Sequence, residues 1–167
     1  MLGPFVRLSG VTARVTYPGE PGQETCWHIH RRVIPEPLPP WLAHPHTLDC
    51  LCYLDETDDA TGPVVVVPGT HKTLHEQPAP DDVGDKDGQV VLRLPDGSVV
   101  FMHSNLWHRG MPTTPGGHRR RLLIVGYAPG YFRDTAYGTR PADGLSRPVR
   151  EGDDPAAKEL FGIGGWV

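Results

Sequence analysis

Three histidines have the spacing of a metal site. His28 and His30 stand one residue apart, and His108 follows far downstream, just before Arg109 and Gly110. Side chains two residues apart point to the same side of a β-strand, so the first pair supplies two corners of a triangle. An imidazole from a later strand would close that triangle around one metal ion. The pattern predicts a mononuclear centre with open coordination positions, and imidazole alone does not select among Fe(II), Zn(II), Cu(II) and Ni(II).

An arginine run follows the third histidine at residues 119–121. The run opens an apolar stretch, where strand alternation puts Arg119 and Arg121 on one face and Arg120 on the other. A guanidinium that projects into a β-barrel needs an anionic partner, and a planar carboxylate is its natural bidentate match. The run is equally compatible with a solvated surface, so an anion site and a surface patch both stay open at this point.

Length and composition restrict the class of protein. The 167 residues predict one domain, 1–167, with a core over about 10–128 and a C-terminal tail over 129–167. A net charge of −4 gives no reason to expect nucleic acid or an acidic membrane as a partner. No apolar run reaches the roughly 20 residues of a membrane span, and no signal peptide is expected. Three cysteines form no disulfide framework, which favours reduced thiols and a cytoplasmic location.

The rest of the chain has the pattern of short β-strands separated by proline and glycine turns. Strands are predicted at residues 11–17, 24–31, 47–54, 63–67, 89–94, 98–102 and 119–127, with 107–110 just beyond one of them. One helix is predicted at 154–161, with Asp154 as N-cap, Pro155 in the first turn and Gly162 as the stop. The expected fold is therefore all-β, a double-stranded β-helix (a cupin-like jelly roll) with a short C-terminal helix.

Two segments carry a resemblance to a known family. The first, from Cys50 to Lys72, leads through an acidic turn into Val-Pro-Gly-Thr-His at 67–71. The second, 97–110, runs from a glycine through a phenylalanine to Trp-His-Arg-Gly. Both are similar to motifs of the phytanoyl-CoA dioxygenase family, and the similarity covers roughly residues 24–128. The Val-Pro-Gly-Thr-His element is its specific part.

The resemblance implies an Fe(II)- and 2-oxoglutarate-dependent oxygenase that oxidises a C–H bond of a small molecule. The metal triad of such enzymes is His-x-Asp/Glu followed by a distant His, so His28 and His108 match the two histidines. His30 then occupies the carboxylate's place. Arg119 stands eleven residues after His108, where the family carries the arginine that binds 2-oxoglutarate, and Arg121 is the second choice. The metal prediction is thus His28, His30 and His108.

This sequence departs from the family pattern in two ways. Three neutral ligands leave the centre one negative charge short, and Asp49, on another strand, is a candidate replacement carboxylate. Family members also carry a longer N-terminal part, so a homodimer could complete the pocket here. Two alternatives therefore stay open: a cupin-like three-His metal enzyme without 2-oxoglutarate, and a non-catalytic module that binds a small molecule on a shortened oxygenase scaffold.

Overall fold

A computed structural model describes residues 2–3, 5–30, 47–73, 76–130 and 146–161. Seven β-strands are present in that part of the chain: β1 Val6–Thr16, β2 Leu48–Tyr53, β3 Val64–Val67, β4 Val90–Leu92, β5 Val99–His103, β6 Trp107–Gly110 and β7 Arg120–Pro129. One turn of 3-10 helix, Thr70–Lys72, follows β3, and the helices α1 Ser146–Glu151 and α2 Pro155–Leu160 follow the strands.

The strands form two antiparallel sheets. The larger has the order β1-β7-β2-β5 and the smaller the order β4-β3-β6. Neighbours in each sheet are distant in sequence, so the chain crosses repeatedly from one sheet to the other, as it does in a jelly roll.

The core lies between the two sheets. It contains Leu51, Tyr53, Met102 and Leu122 from the larger sheet, against Val64 and Val66 of the smaller one. Because side chains alternate along a strand, these residues fix which face of each strand points inwards. The prediction of an all-β jelly roll is confirmed.

Three elements differ from the sequence prediction. Residues 24–30 form no regular strand; only His28 makes a β-bridge, to His108, because the amide of Trp27 donates to Asp82 in a loop and leaves the ladder. Residues 107–110 form a strand of their own, β6. Helix α1 precedes the predicted helix, and α2 begins with the predicted Asp154 cap. Arg31 and Gly162, which ended the predicted strand and helix, lie outside the described residues.

The three cysteines are free thiols, as predicted. Among the described residues, no helix is long and apolar enough to cross a bilayer.

Candidate metal centre

The bridge between His28 and His108 assembles the centre. Each residue's backbone amide donates to the other's carbonyl, at 3.0 and 3.2 Å, so their side chains emerge side by side on one face. The amide of His30 donates to the carbonyl of Ser104, and this hydrogen bond fixes the backbone of His30. One ligand atom from each of the three imidazoles lies within 4.8 Å of the others. The predicted triangle of histidines is therefore present, although an extended segment with one bridge supplies the first pair.

Each imidazole has its Nδ1 committed to an acceptor. Nδ1 of His28 lies 2.8 Å from the carbonyl oxygen of Cys26, and Nδ1 of His108 lies 2.8 Å from that of Leu106. Nδ1 of His30 lies 2.8 Å from Oδ2 of Asp49. Carbonyl and carboxylate oxygens only accept hydrogen bonds, so each Nδ1 carries a proton. The three Nε2 lone pairs are left free for a metal, the arrangement by which outer partners orient histidine ligands.

Burial favours the neutral form of two of the three imidazoles, His28 and His108. Burial is the main cause that lowers the pKa of His28, and it holds the pKa of the more deeply buried His108 well below its usual value. Nε2 of His108 is 3.1 Å from Nε2 of His30. Two nitrogens bound to one metal at about 2.1 Å, with angles of about 90–110°, lie about 3.0–3.4 Å apart. Two facing lone pairs repel each other unless a cation lies between them, so this geometry fits a bound metal ion.

Two cavities reach the cluster from different sides. One of about 340 Å³ is lined by His30, Asp49, Ile124, Gly126 and residues 9–12 of β1. The other, a more open groove of about 490 Å³, is lined by His28, residues 24–26, Asp81 and Val83. Both have the size of small-molecule sites. A metal held by the three histidines would therefore be accessible to ligands.

The arginine run divides between the two faces of β7, as alternation requires. Arg121 is exposed and pairs with Asp55, with Nη2 2.6 Å from Oδ1. Arg119 is exposed as well. Arg120 instead faces inwards on the same side as Leu122 and is only 2% exposed. The structure thus brings neither of the two predicted arginines into the interior.

Arg120 lies in the interior with donors that have no partner. Its Nε and Nη1 are buried without a hydrogen bond, and no ion pair among the described residues includes it. Burial lowers the pKa of Arg120, yet a guanidinium stays protonated at neutral pH. Tyr53, which interacts electrostatically with Arg120, also has a buried hydroxyl without a partner. Burial raises the pKa of Tyr53 to about 12, so its hydroxyl is a donor at neutral pH.

Sequence reasoning missed Arg120 and Tyr53 for one reason. Both faces of β7 are apolar, with Leu122 and Ile124 on one side and Leu123 and Val125 on the other. The alternation therefore separates the arginines without showing which side is the interior. The partnership of Asp49 with His30 was equally hidden, because it joins residues 19 positions apart on different elements.

Family and structure comparisons agree with this site. The model of the phytanoyl-CoA dioxygenase (PhyH) family matches residues 11–121, about two thirds of the chain. No curated protein is significantly similar in sequence. The family's cofactors are Fe(II) and 2-oxoglutarate, and the three-histidine cluster is a site of the required kind. The cofactor prediction is confirmed at this level.

Several solved structures share the fold. EvdMO1 is 21% identical with a TM-score of 0.58, over 76% of this chain and 28% of its own. AviO1 from Streptomyces viridochromogenes Tue57 is 22% identical with a TM-score of 0.56, over 77% and 53%. HygX from Streptomyces hygroscopicus, solved with nickel and 2-oxoglutarate bound, is 16% identical with a TM-score of 0.54, over 76% and 57%.

These identities establish the fold alone, and the chain spans less than two thirds of each of these proteins. The family match covers more than half of the chain and includes His28 and His108. The chain belongs to the phytanoyl-CoA dioxygenase family.

Proposed function

We propose that this protein is an Fe(II)/2-oxoglutarate-dependent oxygenase that oxidises a C–H bond of a small molecule. One observation carries the proposal: one ring nitrogen from each of the three histidines lies within 4.8 Å of the others, while each Nδ1 is held by an acceptor of its own. A structural histidine needs no such arrangement. A metal ligand does, because the outer hydrogen bond fixes its tautomer and direction.

The proposal assigns the metal to His28, His30 and His108. A divalent iron held there supplies redox chemistry with oxygen that amino-acid side chains cannot perform. The chain's own contribution is orientation and partial exclusion of water. Trp27, 2% exposed, donates from its indole nitrogen to the carbonyl of Gly84 at 2.6 Å, and its ring packs under Arg109 at 5.4 Å. These contacts anchor the residue that directly precedes His28.

For the distal carboxylate of 2-oxoglutarate we propose Arg120, in place of Arg119 and Arg121. Support comes from the buried Nε and Nη1, which lack acceptors, and from the nearby hydroxyl of Tyr53. Buried donors are nearly always paired in folded proteins, so unpaired ones indicate an acceptor that a ligand brings. A carboxylate would satisfy the guanidinium by a bidentate contact and the phenol by a single hydrogen bond.

The test is turnover with a defined cosubstrate. Purified protein with Fe(II), 2-oxoglutarate and oxygen should release succinate, slowly without substrate and faster with the correct one. His28→Ala and His108→Ala should abolish the release. Failure to bind 2-oxoglutarate by calorimetry, together with no iron-dependent consumption of it, would reject the proposal.

A cupin-like metal enzyme that does not use 2-oxoglutarate is the second candidate. The three-histidine ligand set favours it, because no carboxylate ligates directly among the described residues. Arg120→Met distinguishes the two: it should abolish an activity that depends on 2-oxoglutarate and leave a cosubstrate-free activity intact.

The substrate is expected to be a small molecule, in keeping with the size of the two cavities. We also propose a cytoplasmic location and a homodimer, as expected from the sequence.

A further inference from the structure

The three candidate ligands differ in what holds them. Nδ1 of His28 and of His108 each faces a backbone carbonyl two residues earlier in the chain. Only His30 has a side-chain acceptor, Oδ2 of Asp49 at 2.8 Å. One imidazole of three is therefore connected to a carboxylate, and this carboxylate comes from a different element, β2.

Asp49 has an unusual position for an acidic residue. It is 6% exposed and sits in the middle of the larger sheet, opposite Met102 of β5 and Gly126 of β7. Among the described residues, His30 is the only hydrogen-bond partner of its carboxylate. Burying a carboxylate is unfavourable unless it is well paired. An acidic residue at this position is therefore a poor choice for stabilising the fold alone.

The surrounding backbone leaves space for this carboxylate. A Cβ added to Gly126 would lie 3.4 Å from Oδ1 of Asp49 and 2.6 Å from Oγ of Ser9. Such a short contact would force a shift, so glycine keeps this part of the cavity open. The carboxylate, the imidazole of His30 and the cavity of about 340 Å³ therefore form one continuous unit.

We propose that Asp49 is a positioning residue that delivers, through His30, the negative charge that three neutral imidazole ligands lack. A carboxylate on Nδ1 fixes the tautomer of an imidazole and makes its Nε2 a stronger donor to a metal. The inference rests on the proposed function, because it assumes that the histidines bind a divalent metal ion.

The experiment measures metal affinity rather than turnover. Ni²⁺ is titrated by calorimetry into purified wild-type protein, Asp49→Asn and Asp55→Asn. An asparagine oxygen can still accept the hydrogen bond from His30, so Asp49→Asn removes mainly the charge. We expect about a 10- to 100-fold loss of Ni²⁺ affinity, the usual size for an outer-shell partner. Asp55→Asn changes a carboxylate just beyond the end of β2 and should bind Ni²⁺ within twofold of wild type.

A double-mutant cycle shows whether the effect passes through His30. In a His30→Ala background, Asp49→Asn should change the Ni²⁺ affinity by less than twofold. An unchanged loss in that background would overturn the proposal, and so would wild-type affinity in a folded Asp49→Asn protein. If Asp49→Asn does not fold, Asp49→Glu keeps the charge and should bind Ni²⁺ within about tenfold of wild type; affinity at the level of His30→Ala would overturn the proposal.

Failure of the metal centre itself would be recognised separately. His28→Ala should lower the Ni²⁺ affinity more than 100-fold. Wild-type affinity in that variant would reject the proposed function, whereas a silent Asp49→Asn beside a deleterious His28→Ala would reject only the role of Asp49.

Discussion

The half-buried histidine cluster and the buried side chains of Arg120 and Tyr53 have opposite hydrogen bonding. In the cluster every Nδ1 has an acceptor at 2.8 Å, and what remains free is a set of lone pairs. At Arg120 and Tyr53, the free groups are donors: Nε, Nη1 and a hydroxyl. The cluster thus has free acceptors that fit a cation, and Arg120 and Tyr53 have free donors that fit an anion.

The difference also concerns cost. Burying neutral imidazoles whose Nδ1 atoms are paired costs less free energy than burying an unpaired charge. A buried guanidinium without acceptors destabilises the fold until an anion arrives. The cluster should therefore tolerate the absence of metal better than the buried Arg120 guanidinium tolerates the absence of an anion.

The largest effect is expected at the cluster. His108→Ala removes the most buried of the three ligands and should lower Ni²⁺ or Fe²⁺ affinity more than 100-fold. Calorimetry on anaerobic protein measures this. Retention of wild-type affinity would show that the ion binds elsewhere.

Arg120→Met should weaken 2-oxoglutarate binding about 100-fold, the order expected when one partner of a buried charge pair is lost. The same change should raise the free energy of unfolding of the ligand-free protein by about 1–3 kcal/mol, because it removes unpaired buried donors. Denaturant unfolding and calorimetry measure the two effects. Arg119→Met is the matched control, and it should leave both quantities unchanged.

Stability of the metal-free protein should fall with pH below about 6.5. The folded pKa values of His28 and His108 are lowered by burial, so below that pH the unfolded chain takes up protons that the native protein refuses. Each refused proton costs up to about 1.4 kcal/mol per pH unit between 6.5 and the lowered pKa. Unfolding curves from pH 7.5 to 5 measure the slope. It should flatten in His108→Gln, and an equal slope in that variant would contradict this assignment.

Tyr53→Phe removes the buried hydroxyl that we propose as a second donor to the carboxylate of 2-oxoglutarate. The variant should bind 2-oxoglutarate about five- to tenfold more weakly, since one hydrogen bond to a charged group is lost. Its melting temperature without ligand should match or exceed that of wild type, because the hydroxyl has no partner in the structure. A clear drop in melting temperature would instead indicate a structural role for the hydroxyl.

The smallest effect belongs to the exposed pair of Arg121 and Asp55. Hydrogen bonds from Arg121 are the main cause that lowers the pKa of Asp55 to about 2. The stabilisation is therefore complete above about pH 4 and is lost as the pH falls towards 2. Arg121→Ala should change the stability at pH 7 only slightly, because the guanidinium is exposed to solvent, and should leave 2-oxoglutarate affinity unchanged. Weaker 2-oxoglutarate binding in this variant would restore Arg121 as the anchor.

The histidine cluster could be predicted because its main signal, two histidines one residue apart, lies within a short stretch of sequence. Two histidines one residue apart in an extended segment must share a side, and a third needs only a strand to bring it near. The jelly roll followed from the frequency of strands and turns. The prediction of a regular strand was wrong: residues 24–30 make one β-bridge, at His28, so the pair faces the site without belonging to a strand.

The inward position of Arg120 could not be predicted, because it depends on how the two sheets pack against each other. Residues on the outer face of the larger sheet are also apolar, and Val99 and Phe101 on that face are 48% and 63% exposed. Hydrophobic alternation normally identifies the interior, and here it offers two equivalent faces. Only the packing of the second sheet against Leu51, Tyr53 and Leu122 decides that Arg120 points inwards.

An anaerobic crystal structure of the protein with Fe(II) and 2-oxoglutarate would test the two-region assignment most directly. The expected result is one iron bound by Nε2 of His28, His30 and His108, with the distal carboxylate of 2-oxoglutarate on Arg120 and Tyr53. Iron bound elsewhere, or a carboxylate bound by Arg119 or Arg121 at the surface, would contradict it.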